Sequence, residues 1–152
     1  MDNVKIVKSK QFQVVLFVAL PLVIGGLAYY IFCPSVVFVK LIDSAINLNV
    51  HIPYEAEENI VLSLLRWYLL DFLWAFSFAS AVYLIFENKR LSMVISLMIP
   101  IVFGVVFEIL QYVGVVAGTF DICDIVAEAL AVGMSVFSNM KYGTRRYAYE
   151  EN

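Results

Sequence analysis

The stretch EILQYVGVVAGTFDICDIVAE, residues 108–128, decides how this chain is read. It gathers Glu108, Gln111, Asp121, Asp124 and Glu128 into surroundings that are otherwise apolar, whereas the other hydrophobic segments mostly shed charge. Glu108 and Gln111 are three residues apart, and Asp121, Asp124 and Glu128 follow one another at three and then four, so on helices each set shares one face. Ionisable side chains at or inside a bilayer edge are costly, and they turn toward a polar cavity, a protein partner or a headgroup. This cluster is therefore the first candidate for function.

Working outward, 62% of the 152 residues are hydrophobic and only 15% are charged, against about 25% charged in soluble domains. The composition is that of an integral membrane protein. Residues 1–152 are read as a single transmembrane domain, because no polar run is long enough to build a separate core. No basic patch interleaved with aromatics is present, so no nucleic-acid partner is expected. Lys5, Lys8 and Lys10 precede an apolar run as in a signal peptide, but the run over 14–32 is too long for a signal core and lacks a small-residue cleavage site behind it. It is expected to be a retained first span.

Apolar length predicts an all-α four-helix bundle with spans at about 14–32, 69–86, 91–112 and 120–137. Pro21 and the Gly25-Gly26 pair in the first span favour a kink and close helix approach. Residues 33–66 are expected on the outer side, comprising a short interfacial helix or re-entrant segment around Lys40 and Asp43 and then an acidic loop with His51, Glu55, Glu57 and Glu58. A helix beginning near Ile60 would be longer than one crossing needs and would leave Arg66 at headgroup level. The Glu87-Asn88-Lys89-Arg90 turn joins spans two and three, and 141–152 is expected as a polar cytoplasmic tail. With both termini in the cytoplasm, eight of the ten Lys and Arg fall inside, leaving Lys40 and Arg66 outside. That asymmetry is the positive-inside pattern.

This topology brings Asp71, Glu108, Gln111, Asp121, Asp124 and Glu128 to the outer ends of three spans, with Arg66 as the nearby fixed cation. Two readings compete for Asp71 and Asp121, since a carboxylate at the start of a helix also caps its N–H groups. Glu108 and Glu128 are flanked by Phe107, Ile109, Leu110, Ala127 and Ala129, and no cap position explains them. Oxygen ligands of this kind suit a hard divalent cation; protonated acids or a lipid headgroup satisfy the same groups, and no cofactor is assigned. Trp74 and Phe76 read as interfacial anchors. His51 has no second His or Cys to make a metal site, and no serine has an adjacent base for nucleophilic catalysis. Cys33 and Cys123 are expected as packed thiols.

Phe107-Glu108-Ile109-Leu110-Gln111, followed by Gly118-Thr119-Phe120-Asp121-Ile122-Cys123-Asp124 and then Gly133, resembles the VanZ-like family of small membrane proteins. The resembling pattern is E-x-x-Q on one span, a short turn, two acids three residues apart, and a glycine further on. Asp71 is similar to a polar residue that members carry early in an upstream span, so the likeness runs from about residue 71 to 133. Members often have Arg where this chain has Thr119, Asn where it has Glu128, and Lys and His near Phe72 and Trp74. These departures make the cluster more acidic. The resemblance implies a cell-envelope protein of the bacterial plasma membrane, with some relatives linked to resistance to glycopeptide antibiotics of the teicoplanin type. The expected role is binding of a membrane lipid headgroup or lipid-linked envelope intermediate; an enzyme acting on such a substrate and a structural partner of another membrane protein stay open, as does the oligomeric state.

Overall fold

A computed structural model describes residues 10–33, 37–46, 50–51, 60–86, 88–116 and 119–150. The acidic-loop residues Glu55, Glu57 and Glu58, the lysines Lys5 and Lys8, and Gly118 lie outside the described residues, as do the side chains of Arg66, Arg145 and Arg146. The elements are α1 (Lys10–Phe32), α2 (Val37–Ile46), α3 (Ile60–Ile85), α4 (Lys89–Tyr112) and α5 (Ile122–Glu150). Four helices, Lys10–Phe32, Trp67–Ile85, Lys89–Tyr112 and Ile122–Tyr142, are long and apolar enough to cross a membrane. The chain is an all-α, multi-pass membrane protein built as a four-helix bundle.

Local chemistry sets the helix boundaries. Within α1, Val15–Ala19 is wound as a π-helix, with the Leu20 N–H reaching back to the Val15 carbonyl. Pro21 follows at once, and a widened turn is one way to relieve the clash of a proline ring with the carbonyl four residues back. Asn88 opens α4, its side-chain oxygen accepting from Arg90 N–H at 3.0 Å and Leu91 N–H at 3.2 Å. At the other end Gly114 takes φ 75°. Its N–H bonds the Gln111 carbonyl and that of Val115 bonds the Leu110 carbonyl, the paired geometry that ends a helix on glycine. In α5 the backbone stays helical through 141–150, which was expected as a tail, since no proline interrupts propagation there.

α3 packs against α1, α4 and α5, and α4 also packs against α5. The inner surfaces are made of small groups: Ala75 and Ala79 of α3 meet Ala131 and Val132 of α5, with Phe72, Phe76, Leu97 and Ile101 around them. Lipid supplies no hydrophobic drive between helices, so close backbone approach over small residues holds such a bundle. α4 buries Ser92, Ser96, Pro100, Gly104 and Glu108, one residue every fourth position. Many of its large apolar side chains, including Met98, Val102, Val106 and Ile109, are exposed. Phe12 and Phe17 of α1 pack on Tyr142 of α5 with ring centroids 6.1 and 5.9 Å apart. The described starts of the chain and of α4 therefore share one end of the bundle with Tyr142, and the α4–α5 connection forms the opposite, far end.

Candidate functional site

The far end is assembled around Glu108. Only 5% exposed, Glu108 extends from the last turn of α4, and its Oε2 accepts the backbone N–H of Asp121 at 2.9 Å. Asp121 in turn caps α5: its Oδ1 accepts Cys123 N–H at 2.8 Å and its carbonyl accepts Asp124 N–H at 3.2 Å. In a capping box the cap residue's own N–H goes to the acid three positions later. Here Glu108 on a different helix takes that bond, which leaves the carboxyl of Asp124 available. Tyr68 of α3 donates its hydroxyl to Asp121 Oδ2 at 3.4 Å, tying a third helix to the same cap.

Three further acids close around this bond. Asp71 lies within electrostatic reach of Glu108. Asp124 lies within reach of Asp71, Asp121 and Glu108, and Glu128 within reach of Asp71, Glu108 and Asp124. Glu128 is 9% exposed and crosses from α5 to lay its carboxyl on the backbone of α4. A Cβ added at Gly104 would fall 1.6 Å from Glu128 Oε2, so only glycine leaves room for that carboxyl where it stands. The structure thus unites Asp71, Glu108, Asp121, Asp124 and Glu128, contributed by α3, α4 and α5.

Two expected members stand apart. Gln111 is half-buried, and among the described residues it joins the far end only through its backbone carbonyl, which accepts Gly114 N–H at 3.0 Å. Arg66 is in α3, but its side chain is outside the described residues. Asp71 is not a helix cap: α3 begins at Ile60, so Asp71 sits about three turns into the helix. Its backbone N–H groups are already used by the helix, and the carboxyl faces the other acids instead. Asp121 does act as a cap. No three or more His, Cys, Asp or Glu among the described residues are grouped so as to hold a metal ion. No disulfide joins Cys33 and Cys123.

Trp74, one turn past Asp71, opens an apolar cavity of about 440 Å³ lined by Val18, Leu22, Trp74, Ser77, Phe78, Ala81 and Phe103. Trp74, Phe78 and Phe103 pack as an aromatic wall, with centroid separations of 5.4, 5.6 and 6.0 Å. Asp71 and Trp74 stand one turn apart on α3, the helix that the acids and the cavity share.

Two polar groupings escaped the reading from spacing. Ser80 of α3 and Ser135 of α5 share a 2.7 Å hydroxyl contact, and Asn139 Nδ2 donates to Ser80 Oγ at 3.2 Å and to the Ser135 carbonyl at 2.9 Å. Asn139 Oδ1 is buried with no partner among the described residues. At the far end of α1, Tyr30 donates its hydroxyl to Asp43 Oδ1. His51 places Nε2 2.7 Å from Asp43 Oδ2 and Nδ1 3.1 Å from the Tyr30 carbonyl. The Tyr30 hydroxyl holds the Asp43 carboxyl below its ordinary range, aided by the His51 contact and opposed by partial desolvation. Four-residue spacing between Ser135 and Asn139 was a usable signal for the first grouping. For the second none existed, since 13 and 21 residues separate Tyr30 from Asp43 and His51.

No family model, curated protein or solved structure matches this chain.

Proposed function

We propose that the chain is a VanZ-like protein of the bacterial envelope that binds the headgroup of a membrane lipid, or of a lipid-linked envelope intermediate, at the acidic far end. One observation carries this reading: five carboxylates from three helices meet at one end of the bundle, and one of them, Asp71, stands one turn of α3 before Trp74, which lines an apolar cavity with Phe103. Charged side chains kept within spans mark sites where something polar is met. An amphiphile presents a polar head and an apolar chain in that same order. Both termini are placed in the cytoplasm on the distribution of Lys and Arg, which sets the acidic end outward, and tolerance to glycopeptides of the teicoplanin type is the proposed consequence in the cell. No reaction is assigned.

Native mass spectrometry of the purified full chain tests the proposal. The parent is expected to carry a lipid adduct that Glu108→Gln loses, with both proteins inserted at equal level and only parent cells gaining teicoplanin tolerance. A parent that carries no lipid, or a Glu108→Gln variant that keeps both adduct and tolerance, overturns it.

A further inference from the structure

We infer that Ser80, Ser135 and Asn139 hold an ordered water that donates to Asn139 Oδ1 and accepts the spare hydroxyl proton of the serine pair, joining α3 to α5 toward the end shared with Tyr142. Asn139 is the starting point. It lies within the Ile122–Tyr142 span and is 1% exposed, and its Oδ1 is buried with no hydrogen-bond partner among the described residues. A carbonyl oxygen taken out of water without a donor keeps its full desolvation penalty. The site is independent of any ligand at the far end.

Turning the amide over does not remove the problem. Asn139 Nδ2 donates to the Ser135 carbonyl at 2.9 Å and to Ser80 Oγ at 3.2 Å, which uses both of its protons. Exchanging nitrogen and oxygen would set an amide oxygen against the Ser135 carbonyl, acceptor facing acceptor, and would leave the nitrogen where the oxygen now has no partner. The neighbouring bonds therefore fix which way Asn139 points, and the orphan is its acceptor.

A count of protons identifies the missing group. Ser80 and Ser135 bring two hydroxyl protons to a single mutual contact of 2.7 Å. Whichever serine donates there, the proton of the other has no acceptor among the described residues. The network thus lacks one donor and one acceptor together, and a water supplies both. Its two bonds, to Asn139 Oδ1 and to one serine hydroxyl, reach the lower end of what buried waters make.

A monovalent cation does not meet the same need. It would satisfy Oδ1 but would leave the hydroxyl proton unpaired, and it would bury a charge where Ser80, Ser135 and Asn139 offer only neutral groups. Asp71, Glu108, Asp121, Asp124 and Glu128 all belong to the opposite end. Room for a water is a small demand, about 10–15 Å³, and the seam is made of small groups: its fully buried side chains are no larger than Val132 and Asn139 themselves, the others being serines and alanines.

A crystal structure of the full-length chain grown from a lipid mesophase, at a resolution that shows ordered waters, tests the assignment. One peak is expected at about 2.7–3.2 Å from Asn139 Oδ1 and from Ser80 Oγ or Ser135 Oγ, with no anomalous signal there after thallium(I) replaces sodium. Asn139→Leu removes the acceptor and fills the room, and should lose the peak. Ser135→Ala leaves the Ser80 proton free for the water, and should keep the peak on Asn139 Oδ1 and Ser80 Oγ. An Oδ1 with no peak beside it, in a map that resolves other buried waters, overturns the proposal. So does a protein donor seated on Oδ1, such as the hydroxyl of Tyr83 one turn beyond Ser80 on α3, or a thallium signal, which would replace the water by a cation. A peak that persists in Asn139→Leu overturns it as well, and the parent map decides alone if that variant does not fold.

Discussion

The bundle has two polar groupings along the α3–α5 seam, and they are built on opposite principles. Toward the end shared with Tyr142, Ser80, Ser135 and Asn139 form a neutral network in which hydroxyls and an amide satisfy one another, one amide oxygen excepted. At the far end the acids bond mainly to backbone, as Glu108 does to Asp121 N–H, or have no hydrogen-bond partner among the described residues, as with Glu128. Neutral groups that bond each other hold helices together at modest cost. At the far end the bonds of Glu108 and Asp121 also join helices, but Asp71, Asp124 and Glu128 add none, and under the proposed function a headgroup accounts for their placement.

Removing Glu108 should separate the two groupings most sharply. Glu108→Ala strands the Asp121 N–H, at a cost of about 1–3 kcal/mol, and should abolish lipid binding altogether; Glu108→Gln retains an acceptor for that N–H and should lose binding with little change in stability. Lipid titration and thermal unfolding in the same detergent read the two effects separately. A well-folded Glu108→Ala protein that binds lipid like the parent would place the far end in the same class as the serine network.

The reverse pattern is expected at that network. Ser80→Ala and Ser135→Ala should each lower stability by about 0.6 kcal/mol and at most about 1.7, the range for hydrogen bonds between membrane helices. The double variant should cost less than the sum, because the two hydroxyls bond each other. Lipid affinity should stay within twofold of the parent throughout. A tenfold loss of affinity in either single variant would mean that the two groupings act as one site.

Much of this contrast is legible in the chain, and the reasons for the remainder are specific. Glu108 stands out because an acid amid Phe107, Ile109 and Leu110 has no bland explanation, and the i, i+3, i+7 spacing of Asp121, Asp124 and Glu128 places them on one face. Asp71 was ambiguous because its role depends on where α3 begins, and the apolar pattern back to Ile60 allows either a cap or an interior acid. Ser92, Ser96, Pro100 and Gly104 recur every fourth residue up to Glu108. That period is visible in the sequence, yet in lipid it is small size rather than hydrophobicity that marks the buried face, and a search for apolar stripes passes over it. Pairings across the fold, such as Glu128 with Gly104, leave no local trace.

The smallest expected effect concerns Tyr30, Asp43 and His51, a third polar grouping that contrasts with both others by joining a charge to its partners. Asp43 accepts from the Tyr30 hydroxyl and faces the His51 ring, fastening α2 to the end of α1. Both ring nitrogens of His51 meet oxygen atoms, one of Asp43 and one of the Tyr30 carbonyl. The folded carboxyl of Asp43 is held below its ordinary value of 3.8. A depressed carboxylate contributes stability that is fully present above its unfolded pKa and is lost as pH falls through the folded one. Amide exchange over 37–46, corrected for intrinsic rates, should therefore show protection that is steady from neutral pH down to about 4 and then declines. Tyr30→Phe removes the largest cause of the depression and should move the onset of that decline upward. Lipid binding at the acids should be unaffected, since α2 contributes no residue to them. Protection over 37–46 that is unchanged by Tyr30→Phe at every pH would show that α2 is held by the burial of Val39 and not by its carboxylate.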